Sequence, residues 1–315
     1  MRLKILVTGA AGFIGSHTTD HLLHAGHFVI GVDNFRTGKR ANLASALTNP
    51  KFIFCELDVT EESAFTEIVG QYRPDVIVHL AALVSVPESI ANPALNDLLN
   101  FRTTRTVAEA ARLHLVPRIV FASSAAVYGD PTHTPIPENG PTLPLSPYGS
   151  AKLASENLLL EYASRHGLVV RCQRYFNVYG PRQDPSSSYS GVISIFLDRL
   201  GRNLPATIFG DGEQTRDFIS VYDVARANAL AATAPGLASG VANICTEKEV
   251  SLNQLWQLLR QGFSEAPVPL HVPERPGDIR RSCGSTALAH DSFGFRSRIS
   301  LEHGLRDLAR QCSIE

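Results

Sequence analysis

Lysine is scarce: Lys4, Lys39, Lys51, Lys152 and Lys248 are the only five among 29 basic residues in a chain of 315. Positive charge is carried by arginine, whose planar fork suits bidentate contact with phosphate. An excess of charge is also missing. With 29 basic and 30 acidic residues the net charge is −1, so no global field draws in nucleic acid or an anionic membrane. An anionic ligand would need arginines placed locally. No apolar run approaches the roughly 20 residues of a membrane span. The five cysteines (Cys55, Cys172, Cys245, Cys283, Cys312) form no C-x-x-C pair, which favours unpaired thiols in a reducing compartment. Met1 to Val7 lacks a signal-peptide core and runs straight into a glycine turn. It reads as a first strand, and the chain as cytoplasmic.

What is present is ordinary for a globular protein: 44% hydrophobic residues and a mean hydropathy of −0.01. The length fits two lobes, or one large α/β domain with an appended lobe. Short β-branched apolar runs at 3–8, 28–32, 51–55, 76–80, 118–123 and 169–174 alternate with helical stretches at 13–25, 62–72, 93–114 and 147–166. Near-continuous apolarity marks strands covered on both faces. The spacing predicts an α/β fold: a doubly wound parallel Rossmann sheet with right-handed crossovers. After Asn177 the pattern changes. The stretch 181–190 is rich in Pro, Ser and Gly and reads as a loop. Helices are expected at 191–200, 251–261 and 300–310, a strand at 207–209, and a helix capped by Asp223 that reaches residue 232. This predicts a dinucleotide-binding domain of residues 1–177 plus about 221–245. A smaller mixed α/β substrate lobe would comprise about 178–220 and 246–315.

Gly9, Gly12 and Gly15 follow the first strand and open the first helix. Glycine permits the tight turn and lets backbone approach a pyrophosphate, while the helix N-terminus offers free N–H groups. Asp33 ends the second strand, 18 residues after Gly15, where a carboxylate binds the adenosine ribose. That acid would repel a 2′-phosphate, which favours NAD over NADP; Arg36, Lys39 and Arg40 nearby weaken the preference.

Tyr148 and Lys152 lie four residues apart on one helix, hence on one face. Ser124 ends a strand at the sheet edge where doubly wound folds bind ligands. An ammonium over the phenol, together with an oxidised nicotinamide, would pull the tyrosine toward ionisation near neutral pH, where a general base works best. Ser124 can orient the same substrate oxygen. The plainer alternative is a packed Tyr148 and a solvated Lys152; the independent glycine turn argues against it. His17, His21 and His24 fall at metal-ligand spacing, but nothing beyond Asp20 completes a site, and a surface histidine stripe is expected.

With these motifs in hand, the chain resembles the extended short-chain dehydrogenase/reductases over nearly its whole length, and within them the UDP-hexose 4-epimerases. The resemblance rests on 7–15, 79–82, 123–129 and 147–152, and on 174–182, 216–218 and 275–278. It implies that tightly bound NAD is held by Gly9, Gly12, Phe13, Ile14, Gly15, Asp33, Asn34, Asp58, Val59, Leu80, Ala81, Ala82, Tyr148, Lys152 and Tyr175. It implies a catalytic trio of Ser124, Tyr148 and Lys152. A UDP-sugar would meet Val84, Ser124, Asn177, Gly191, Arg216, Arg275, Asp278 and Ser282, with no metal. Family members form dimers, which suggests that helices 93–114 and 147–166 pair with their copies in a homodimer. Thr103 stands where the family has glycine, which leaves the packing of that helix open.

Dehydratases of this group carry an acidic residue after the catalytic Ser or Thr; Ala125 and Ala126 stand here instead, which disfavours elimination. The resemblance therefore implies C4 epimerisation through a transient 4-keto sugar. Small Ser282 at the sugar-closing position implies that N-acetylhexosamines are admitted alongside the plain hexoses. Two alternatives stay open: another nucleotide-sugar enzyme (dehydratase, decarboxylase or reductase), and a non-enzymatic NAD sensor.

Overall fold

The computed structural model describes residues 2–184, 191–263, 266–275 and 278–312. The Ser-rich stretch 185–190, Pro276 and Gly277 lie outside them. Seven parallel strands form the central sheet: β1 (Lys4–Thr8), β2 (Phe28–Asp33), β3 (Phe52–Glu56), β4 (Val76–His79), β5 (Arg118–Ser124), β6 (Val169–Tyr175) and β7 (Gly240–Ile244). Their order across the sheet is β7-β6-β5-β4-β1-β2-β3. The direction of winding reverses between β1 and β4, and a crevice opens at that point beyond the strand ends.

Side chains alternate across the sheet as the two-residue period requires. Ile5 and Val7 face a core closed by α1 (Phe13–His24) and by the helix Val221–Thr233. Leu6 faces the opposite core, with Phe65, Val107 and Leu159 from α2 (Glu62–Tyr72), α3 (Thr103–Leu113) and α4 (Pro147–His166). Truncating such a fully buried leucine costs about 2–5 kcal/mol.

Two expected helices differ in detail. The stretch 93–114 is helical without a gap as far as Leu113, but not α-helical throughout. Asn92 caps Pro93–Asn96, a turn of π-helix spans Asp97–Arg102, and only then does α3 begin. Thr103 and Thr104 supply the reason: their hydroxyls donate to Leu99 O at 2.7 Å and Asn100 O at 2.6 Å, competing for carbonyls the helix would use. Asn100 is pulled inward, its amide donating to Leu83 O at 3.0 Å. In Val221–Thr233 the cap is Ser220 rather than Asp223. Asp223 is buried and accepts the N–H groups of Arg298 and Ile299, both at 2.9 Å.

A third cluster lies outside the sheet. Helices Val192–Gly201, Leu252–Arg260 and Leu301–Cys312 enclose Phe196, Trp256 and Leu305. A Ser251–Gln254 capping box starts the second of them. Short strands Thr207–Phe209 and Leu270–Val272 pair in parallel beside this cluster. Helix Ala287–Phe293, absent from the sequence-based expectation, sends Ala289 and Phe293 into the first core.

Candidate active site

Gly9 leaves β1 with φ +69 and donates to Val32 O at 2.8 Å. A Cβ on Gly15 would lie 1.9 Å from Gly9 O, so only glycine permits this turn. Gly12 occupies the N-cap of α1 with no side-chain cap, and the first turn holds no acid. Its N–H groups and partial positive charge are thus left for an anion. Asp33 is buried at the end of β2. Its carboxylate accepts from Ala11 N at 2.9 Å and Phe35 N at 2.8 Å. Burial pushes its pKa up, and these bonds oppose the rise. Arg36 and Lys39 are both tied elsewhere, Arg36 to Glu88 at 2.6 Å and Lys39 to Asp184.

At the far side of the crevice stands the trio. Ser146 caps α4, accepting from Gly149 N at 3.1 Å, which sets Tyr148 and Lys152 on the first turns. Ser124 ends β5, its hydroxyl accepting from Ala126 N at 3.2 Å and lying near enough to Tyr148 to lower its pKa. Lys152 is buried. Its ammonium donates to Ala122 O at 2.8 Å and lies 4.9 Å from the Phe121 ring centre and 5.9 Å from that of Tyr148. Burial pushes Lys152 down to about 7, and Glu156 opposes this. In the protein alone, burial around the half-buried Tyr148 raises its pKa, and the nearby Ser124 hydroxyl opposes the rise. The Lys152 ammonium donates to a carbonyl of β5 rather than to the phenol.

Turn and trio share one cavity of about 680 Å³, lined by Gly9, Gly12, Phe13, Ile14, Gly15, Asp33, Leu80, Ala81, Ala82, Val84, Ser124, Tyr148, Lys152 and Tyr175 among others. A second cavity of about 260 Å³ shares Gly9, Asp33, Ala81 and Val84 with it and adds Asn34, Asp58, Val59 and Thr103. Asn34 donates to Asp58 at 2.7 Å. An uncapped helix start, a turn with no room for Cβ atoms and an acid at the end of β2 fit a dinucleotide.

Residues 5–245 match the family model described as the NAD dependent epimerase/dehydratase family. This chain belongs to that family. Among curated relatives, a UDP-glucose 4-epimerase of Mycolicibacterium smegmatis is 38% identical over 304 residues, 96% of each chain. A crystal structure of UDP-glucose 4-epimerase with UDP-glucose, from Thermotoga maritima, superposes with a TM-score of 0.92 at 38% identity, covering 99% of this chain and 100% of the other. A UDP-N-acetylglucosamine 4-epimerase from Methanobrevibacter ruminantium, in complex with UDP-N-acetylmuramic acid, gives 0.92 at 33% identity over 98% and 97%.

The remaining sugar-site candidates of this NAD dependent epimerase/dehydratase chain lie apart from the cavity lining. Arg216 pairs with Asp278 at 2.6 Å and donates to Ile279 O at 2.7 Å, so Asp278 already has a partner. The Arg275 guanidinium stacks 3.6 Å from the Phe209 ring centre. Ser282 is buried, its N–H donating to Thr215 O at 3.2 Å. Asn177 is exposed on the strand Asn177–Tyr179, and Gly191 precedes the helix Val192–Gly201. Lining residues missed from the sequence include Phe176, Val178, Gln183 and Asn42. Phe176 and Val178 lie within the 174–182 motif and Gln183 directly follows it. Asn42, whose amide donates to Ala11 O at 2.8 Å, carried no periodic or motif signal. The histidine stripe is also corrected. His17 is buried, bonded to Pro181 O at 3.0 Å and edge-on to Tyr222. Among the described residues no group of three or more His, Cys, Asp or Glu gathers as for a metal.

Proposed function

We propose that this chain interconverts the C4 epimers of a UDP-hexose, using NAD that stays bound through turnover. The observation that carries the reading is one cavity lined by both the glycine turn and the Ser124–Tyr148–Lys152 trio. NAD, when bound, supplies reversible two-electron oxidation of the carbinol. Tyr148 accepts the C4 hydroxyl proton and later returns it. Ser124, beside Tyr148, holds the same oxygen. With NAD bound, Lys152 would hold the cofactor ribose and stabilise the charge that develops on Tyr148. The 4-keto sugar turns about its diphosphate link and is reduced from its other face.

Arg216 and Arg275 hold the diphosphate in this reading, with Asp278 and Asn177 on the nucleoside and sugar. Val84, Gly191 and Ser282 add little bulk around the hexose, so N-acetylated sugars enter as well. The carboxylates lining the larger cavity speak against elimination: Asp33 accepts backbone N–H groups and Asp184 pairs with Lys39. The domain division follows the same reading, with residues 1–177 and 221–245 carrying NAD and the rest the UDP-sugar. Four cysteines are free thiols, in keeping with the cytoplasm. A homodimer would pair helices 93–114 and 147–166 with their copies, and exposed Leu98 and Leu113 lie on the first of these; light scattering at twice the chain mass tests it.

The central test is incubation with UDP-Glc, UDP-Gal, UDP-GlcNAc and UDP-GalNAc without added NAD. Products that are C4 isomers of unchanged mass support the reading. Loss of water or carbon dioxide, or no turnover, overturns it.

A further inference from the structure

One buried carboxylate touches every element that carries the trio, yet it does not line the cavity. Glu156 lies one turn beyond Lys152 on α4, its side chain 2% exposed. It accepts a hydrogen bond from Ser123, the neighbour of Ser124 at the end of β5. Its two oxygens also accept from Arg174 Nε at 2.9 Å and Nη2 at 2.7 Å, and Arg174 precedes Tyr175 at the end of β6. The guanidinium is itself held, donating to Tyr128 Oη and to Glu138 O, both at 2.9 Å. Tyr128 in turn donates to Asn243 of β7 at 2.7 Å.

Burying such a pair is expensive. A well-packed apolar pair of equal volume is often as stable or more so. Fold stability alone therefore does not explain a buried glutamate–arginine fork at this place. What the fork does uniquely is geometric: it is directional, and it joins β5, β6 and α4 directly behind three reactive side chains.

We propose that Glu156, clamped by Arg174, is the positioning residue of this site: it fixes the register of α4 against the ends of β5 and β6, so that Ser124, Tyr148 and Lys152 meet around one substrate oxygen. The proposal rests on the epimerase reading for its kinetic consequence. Its electrostatic consequence stands separately. Lys152 faces neutral His79 from β4, the Phe121 ring from β5, and Tyr148 and Glu156 on its own helix. Glu156 is the anion of that set, and Arg174 of β6 reaches the site only through it.

The test is Glu156→Gln, which keeps the volume and an acceptor but removes the charge and the fork. The expected result is a kcat lower by about 10- to 100-fold, with unchanged KM for the UDP-sugar and unchanged bound NAD. The Lys152 titration midpoint should also fall. It can be followed by NMR of isotope-labelled lysine, with only five lysines to resolve and Lys152→Arg to assign the signal. A lowered Tm with kcat and midpoint as in the parent chain would overturn the proposal. If Glu156→Gln does not fold, Ser123→Ala removes only the hydroxyl tie. It should lower kcat by about 3- to 10-fold, and an unaltered kcat would count against the idea. The lysine titration needs no sugar turnover. A parent chain that epimerises nothing while the midpoint still depends on Glu156 defeats the functional reading alone. A parent that epimerises, with a variant indistinguishable from it, defeats this inference alone.

Discussion

The ammonium of Lys152 stands 5.9 Å from the centre of the Tyr148 ring and spends a hydrogen bond on Ala122 O instead of on the phenol. Burial raises the pKa of Tyr148 in the protein alone. On the proposed reading, an oxidised nicotinamide in the cavity would add the positive charge that favours the phenolate.

Removing the Tyr148 hydroxyl should therefore remove the chemistry and spare the binding. For Tyr148→Phe we expect kcat to fall by about 10²- to 10⁴-fold with the same NAD content after purification. Chromatographic separation of the UDP-sugars, together with absorbance of released cofactor, checks both halves. A variant with parent-like turnover would rule out a tyrosine base.

We expect Asp33 to carry the cofactor preference. Asp33→Asn should weaken NAD retention about 10- to 100-fold, the loss of hydrogen bonds made to a charged acceptor. It should not create NADP binding, because Arg36 and Lys39 are held by Glu88 and Asp184. Calorimetric titration with both dinucleotides decides the matter; a gain of NADP affinity would mean those ion pairs yield easily.

Substrate breadth should respond to Ser282. This residue is buried, its N–H donating to Thr215 O, and Ser282→Tyr exchanges a hydroxymethyl group for a phenol ring. We expect turnover of the acetylated pair to drop about tenfold or more, with the plain hexoses changed far less, a gap in the range pocket sterics provide. Equal losses for both pairs would show that Ser282 does not gate the sugar.

His79 sets an acid limit on stability. It is fully buried between Thr8 and Thr104, and burial pushes its pKa down from 6.5 to about 3. The unfolded chain binds that proton first as pH falls. The contribution is therefore complete above pH 6.5 and is lost progressively toward pH 3, amounting to about 4 kcal/mol over the window. Urea unfolding across that range should show the decline. A His79→Gln variant, although less stable at neutrality, should decline less; an identical slope would place the effect elsewhere.

Much of the fold was legible because it is local. The first six sheet strands and α2 and α4 announced themselves through apolar runs, glycine turns and caps such as Ser146, whereas β7 carried no comparable run. The π-turn inside the helix that begins at Pro93 was not legible, because it depends on threonine hydroxyls bonding back to carbonyls one turn away and on Asn100 reaching Leu83. Nor was the Ser220 cap, since Asp223 looks like a cap until its carboxylate is seen holding Arg298 and Ile299, some 75 residues distant.

Residue order by itself determined the sheet-forming runs, the glycine cradle and the identity of the serine, tyrosine and lysine, since each follows from bonding between near neighbours. Tertiary structure alone decided that Lys152 turns to β5, that His17 is buried, that Arg216 is matched with Asp278, and that Glu156 joins three strand and helix ends. Those outcomes depend on burial and on partners brought together across the fold, which no spacing along the chain encodes.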